Sequence, residues 1–183
     1  MSPIGRLAWL VAGGLWAARS LIGFQNPEYW NPVTTLDFVS IWLFSACFLA
    51  LAPAILLITR LAPVRAVNAI AAAVALAAVG AGIANGAEDG LDVRWAGTLY
   101  ILGSLTTFFG TLALGIALAS AGYRRLGVLV AVIFVGFLLF TVGGGFVMLA
   151  SFAAVAARPG WFATREGTSE PATSASPEPG GAK

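Results

Sequence analysis

The sequence predicts an all-α, polytopic integral membrane bundle, and three observations carry that prediction. The 183-residue chain is 59% hydrophobic and only 10% charged, against about 25% charged in a soluble domain. Its apolar residues fall in long runs, most of them near the ~20 residues that a spanning helix needs. These Ala, Leu, Val and Gly runs lack the alternation of barrel strands, so in lipid they must satisfy their backbone as helices. Five segments qualify: 4–24, 38–59, 66–86, 96–121 and 127–157. Residues 1–160 then form a transmembrane helical domain, and 161–183 a polar tail.

The first segment opens like a signal peptide, with Arg6 ahead of an apolar stretch over 7–18. Arg19 stands where a small-residue cleavage site belongs and the run is long, so the segment is expected to stay as a span. Arg19 lies five residues from the end of that span. A guanidinium at such depth snorkels outward or pairs with a carboxylate. Asp37, Glu88, Asp89 and Asp92 are the candidates on the same side, and an ion pair tying the first helix to the second or third is expected.

The connection 25–37, "QNPEYWNPVTTLD", carries two Asn-Pro steps. Proline biases the residue before it away from helix, so this is a shaped turn. Tyr29 and Trp30, like Trp95 and Tyr100 beyond the next outer connection, suit a membrane–water interface. Asp37 is placed to cap the second helix just before Phe38. Within that helix Pro53 predicts a kink. Cys47, in the apolar run 43–51, reads as a small buried hydrophobe.

The third segment repeats small residues at three or four: Ala69, Ala73, Ala77, Gly80, Ala81 and Ala84. Small faces let membrane helices approach closely, which predicts a central place in the bundle. After it, Asn85, Glu88, Asp89 and Asp92 are spaced i, i+3, i+4 and i+7. On a continuing helix they would share one face and could bind a hard cation or pass protons. Gly86, Gly90 and the Glu-Asp-Gly turn chemistry favour instead a helix end and a hydrated outer loop over 87–95.

In the fourth segment Ser104, Thr107 and Thr111 form one stripe. Such hydroxyls can line a polar path; the expectation is that they bond the carbonyl one turn back or a neighbouring helix. The fifth segment has 31 residues, about 46 Å as a helix against a hydrocarbon core of about 30 Å. Three glycines, 143–145, interrupt it. One long tilted or kinked span is expected; the alternative is a span followed by a re-entrant piece, which would return Arg158 and Arg165 to the starting side. The remainder, 163–183, is Pro, Ser, Thr, Gly, Glu and Ala, with too little apolar surface to offset chain entropy, and predicts a disordered tail.

Five spans put Arg6, Arg60, Arg65, Arg124 and Arg125 on one side, which the positive-inside rule assigns to the cytoplasm. The N-terminus is then inside and the C-terminus outside. The five acidic residues before position 160, Glu28, Asp37, Glu88, Asp89 and Asp92, fall on the outer side. Nine Arg against one Lys, with abundant Ala and Gly, suit a high-GC bacterial genome and so a bacterial inner membrane.

The absences exclude function classes. There is no histidine, which removes the commonest metal ligand and general base. A single cysteine allows neither an intrachain disulfide nor a thiolate metal site. The only lysine is the final residue, and "LGS" at 102–104 lacks the context of a nucleophile elbow. No catalytic residue, metal or cofactor is therefore expected, and the chain is not expected to be an enzyme. A net charge of +2 without a basic, aromatic-laced patch argues against nucleic acid. The expected partners are the lipid bilayer and either a second copy or other membrane proteins. The function expected is that of a structural or accessory component of a membrane assembly. The alternative is a small cation or proton transporter or channel built on the outer acidic cluster, although no internal repeat supports an inverted-repeat transporter.

Overall fold

The computed structural model describes residues 2–25 and 34–163. Among the described residues seven helices run in order: α1 Pro3–Gln25, α2 Thr35–Leu61, α3 Arg65–Leu91, α4 Ala96–Ser120, α5 Arg124–Leu138, α6 Gly144–Ala157 and the short α7 Pro159–Ala163. A 3-10 turn, Phe140–Val142, separates α5 from α6. No strand occurs among the described residues. Among the described residues three helices, α2, α3 and α4, are long and apolar enough to cross a membrane. The expected tail and the Tyr29/Trp30 turn lie outside the described residues.

The helices form a closed ring. Each of α1 to α6 packs on the next in sequence, and α6 closes on α1. Neighbours are antiparallel because the connections are short: 62–64, 92–95 and 121–123. Arg6, Arg60, Arg65, Arg124, Arg125 and Arg158 therefore gather at one end, and Asp37, Glu88, Asp89 and Asp92 at the other.

The fifth apolar segment is not one helix. It is α5, 15 residues, and α6, 14 residues, about 22 Å and 21 Å long. Gly143 sits at φ 106°, in the left-handed region that favours glycine. The Gly144 N–H donates to the Leu139 carbonyl at 2.7 Å and closes the reversal. A Cβ built on Gly136 of α5 would lie 3.0 Å from the Gly144 carbonyl oxygen, so the two helices run back along each other. Two expectations change with this. The single long span becomes a hairpin, and the chain after α6 returns to the basic end, where the Arg125 guanidinium lies 4.6 Å from the Trp161 ring centroid. The C-terminal side of the described chain thus sits with the N-terminus, not opposite it.

Aromatic side chains fill the interior of the ring. Trp16 of α1 meets Phe44 and Phe48 of α2 and Phe137 of α5, edge to face, at 5.1–5.6 Å between centroids. Phe48 stacks on Phe108 of α4 at 6.1 Å, and Phe108 reaches Phe137 at 4.8 Å. Such pairs contribute about 0.5–1.5 kcal/mol each beyond area burial. Tyr100, expected at an interface, instead turns into this cluster against Phe44 and Phe48, while Trp95 stays exposed at the acidic end.

The third helix is not central. It packs on α2 and α4 alone and leaves Leu76 and Ile83 exposed. Ala69, Ala73 and Gly80 of its small-residue stripe are also exposed; the packed face carries Val67, Ala71, Val74, Ala78 and Ala81. A helix with alanine on every side has no unique small face, so spacing alone cannot select the contact.

Candidate functional site

The residues singled out by sequence come from α1, α2, the end of α3 and α4. Arg19 is the deepest charge among the described residues, 1% exposed, with its guanidinium 5.4 Å from the Phe44 ring centroid. Its Nη1 lies 3.0 Å from where a Cβ at Gly23 would stand, so the side chain climbs along α1 toward the acidic end. A desolvated cation over an aromatic face is worth about 2 kcal/mol. Next to it Ser20, also buried, donates to the Phe140 carbonyl at 3.1 Å and accepts from the Gly145 N–H at 3.0 Å. One hydroxyl thereby satisfies a free donor at the start of α6 and an acceptor in the 3-10 turn.

Asp37 begins α2, but as the partner of a cap and not as the cap itself. Thr34 is the N-cap, and its hydroxyl accepts from the Asp37 N–H at 3.3 Å. The Asp37 carboxylate accepts from the Thr34 N–H at 2.7 Å and hydroxyl at 2.9 Å. The sequence carries this capping box openly as Thr-x-x-Asp over 34–37.

The acidic stretch is helical further than expected. α3 runs to Leu91, and Asp92 ends it in the left-handed conformation, φ 55°. The predicted outer loop over 87–95 shrinks to the turn 92–95. The four spaced residues nevertheless separate. Asn85 turns inward, 2% exposed, and its amide donates to the Ile41 carbonyl at 3.2 Å and the Ser45 hydroxyl at 3.0 Å, tying α3 to α2. Glu88 is half-buried as a residue, and its carboxylate lies against Gly97 in the first turn of α4. Asp89 and Asp92 are exposed. Among the described residues, no group of three or more His, Cys, Asp or Glu side chains is placed to hold a metal ion.

The hydroxyl stripe of α4 is buried. Thr107 donates to the Gly103 carbonyl at 2.7 Å and Thr111 to the Thr107 carbonyl at 2.6 Å, each one turn back. These two hydroxyls are committed to their own helix, whereas the buried Ser104 Oγ, expected to bond likewise, has no hydrogen-bond partner. Cys47 is buried and free.

Sequence reasoning missed Ser20 and the Asn85–Ser45 pair as helix ties. Asn85 was legible as a polar residue near a span end, but its partner lies 40 residues away. Ser20 carried no signal at all. No protein-family model, curated protein or solved structure matches the chain.

Proposed function

We propose that this protein is a non-enzymatic, multi-pass structural or accessory component of a membrane assembly. The single observation that carries this reading is the filled interior. The ring encloses Trp16, Phe44, Phe48, Phe108 and Phe137 packed on one another. The buried amide of Asn85 and the hydroxyls of Ser20, Thr107 and Thr111 hold helices or bond their own backbone. Interhelical polar contacts of this kind are how membrane helices associate. The outer surface offers apolar faces to lipid or to a partner, including Leu76, Ile83 and Phe109. A cation or proton transporter built on Glu88, Asp89 and Asp92 has less support, because two of the three face solvent.

We further propose that α1 to α6 lie between the two faces of a bacterial inner membrane, with the basic end in the cytoplasm. Six arginines collected at one end support this orientation. It puts both the N-terminus and the exit of α6 inside.

Reconstitution tests the functional reading. Full-length protein in liposomes should pass sodium, potassium and protons no faster than empty liposomes. Flux above that blank, abolished by Glu88→Gln/Asp89→Asn, would establish the transporter instead. Topology has its own test: single cysteines at Pro63 and Ser169 on a Cys47→Ala background should label from the same face, and one at Asp92 from the opposite face.

A further inference from the structure

We propose that the groove between α5 and α6 at the basic end is a binding site for one anionic phospholipid. The groove encloses about 620 Å³. Val128 and Val132 wall it on α5; Ala150 and Ala154 wall it on α6. All four side chains are exposed on the flank of the bundle, where small alanines leave room between two short helices. Between its ends the walls are apolar apart from the buried Ser151 of α6, which suits an acyl chain.

Charge enters only at the mouth. Arg124 and Arg125, the first residues of α5, line the groove where it meets the basic end. Arg125 lies over the Trp161 ring at 4.6 Å. Trp161, 52% exposed, belongs to α7, which folds back beneath α5 and α6 and lines the same groove. A tryptophan here marks the headgroup level, where its amphipathic ring is favoured. The two guanidiniums then stand at the depth of a lipid phosphate, and arginine is suited to grip it by two parallel hydrogen bonds. Arg124 and Arg125 bring two positive charges to this mouth, which suits an anionic headgroup. Chain below and phosphate above is the chemistry of a phospholipid with a net negative headgroup.

The inference rests on the hairpin lying in the bilayer, and the labelling experiment above reports on that separately. The lipid site is tested with full-length protein in mixed micelles by native mass spectrometry. Phosphatidylglycerol and phosphatidylcholine are added at equal concentration. Wild type should retain phosphatidylglycerol preferentially. Arg124→Gln/Arg125→Gln should lower that preference by about tenfold or more, the fold-change of at least one charge-assisted hydrogen bond of about 1.5 kcal/mol. Arg60→Gln/Arg65→Gln removes the same charge from the same end outside the groove and should leave the preference intact. Ala154→Trp fills the groove, keeps both arginines, and should weaken retention of either lipid. Circular dichroism of each variant checks that helix content is unchanged. Because Arg124 and Arg125 are exposed, their variant keeps the test decisive if Ala154→Trp does not fold. Equal retention of the two lipids by wild type overturns the proposal, as does equal loss in the two arginine variants. So does displacement of the lipid by millimolar glycerol phosphate, which would assign the mouth to a soluble phosphate.

Discussion

The bundle contains two helical hairpins built in opposite ways. α2 and α3 have 27 residues each, reverse through 62–64, and are joined near the acidic end by Asn85 on Ser45 and Ile41. α5 and α6 have 15 and 14 residues and reverse through a 3-10 turn and a left-handed glycine. The long hairpin carries its own tie. The short one is held from outside, by Ser20 of α1 on Phe140 and Gly145. Where two helices are too short to hold one another, the neighbour that caps their turn becomes part of the fold.

The largest expected effect is at that junction. A Cβ on Gly145 would collide with the Trp16 carbonyl and the Ser20 hydroxyl. Gly145→Val therefore overpacks the α1–α6 contact and breaks the Ser20 bonds together, at a cost of about 3 kcal/mol or more. The detergent-unfolding midpoint should fall sharply or the folded protein should be lost. Gly14→Ala, which meets nothing within 4 Å, is the control and should fold normally. Normal stability of Gly145→Val would show that the short hairpin does not depend on α1. The turn itself comes next. Gly143→Ala forces a side chain to φ 106° and should cost about 1–2 kcal/mol, read by the same titration; no change there would mean the turn can be rebuilt elsewhere in 140–145.

The contrast between the hairpins also explains what the sequence made legible. α2 and α4 begin and end within about three residues of their apolar runs, and Pro63 and Gly122 follow their last turns. The end of α3 was not legible. Gly86 and Gly90 look like stops, yet the helix continues because their bare backbone receives the Trp42 ring of α2, 2.8–2.9 Å from where a Cβ would stand. Tertiary packing there overrides local propensity. The reversal between α5 and α6 was hidden for a different reason: hydropathy measures depth and not direction, so an apolar run over 127–157 reads the same whether it proceeds or returns. Only the three glycines at 143–145 marked the place. At the candidate site, position along the chain put Arg19 deep in the first span and Asp37 at the start of the second, while the cap itself proved to be Thr34. The ties made by Ser20 and Asn85 depend on which helix lies beside them, which the ring settles and local spacing does not.

The long hairpin should be the more tolerant partner. Asn85→Leu removes two interhelical hydrogen bonds at a site 2% exposed. In membrane proteins such contacts contribute about 0.6–2 kcal/mol, so the unfolding midpoint should move, but less than for Gly145→Val. A loss as large as that of Gly145→Val would erase the distinction between the two hairpins.

The smallest effect is expected on α4, which lies between them. Thr107 and Thr111 are fully buried, and each donates to a carbonyl that also serves its own helix. Valine has nearly the same shape, and replacing either threonine leaves the α-helical backbone bond to that carbonyl in place. Thr107→Val/Thr111→Val should therefore shift stability by no more than about 0.5 kcal/mol. Liposome flux should stay at the blank in the same variant. A drop of several kcal/mol, or a change in flux, would mean that this stripe faces a polar path and would return the transporter reading to first place. The stripe is thus the point at which stability and transport give opposite answers for the two functional readings, because a hydroxyl spent on its own helix can be removed without consequence and one that lines a path cannot.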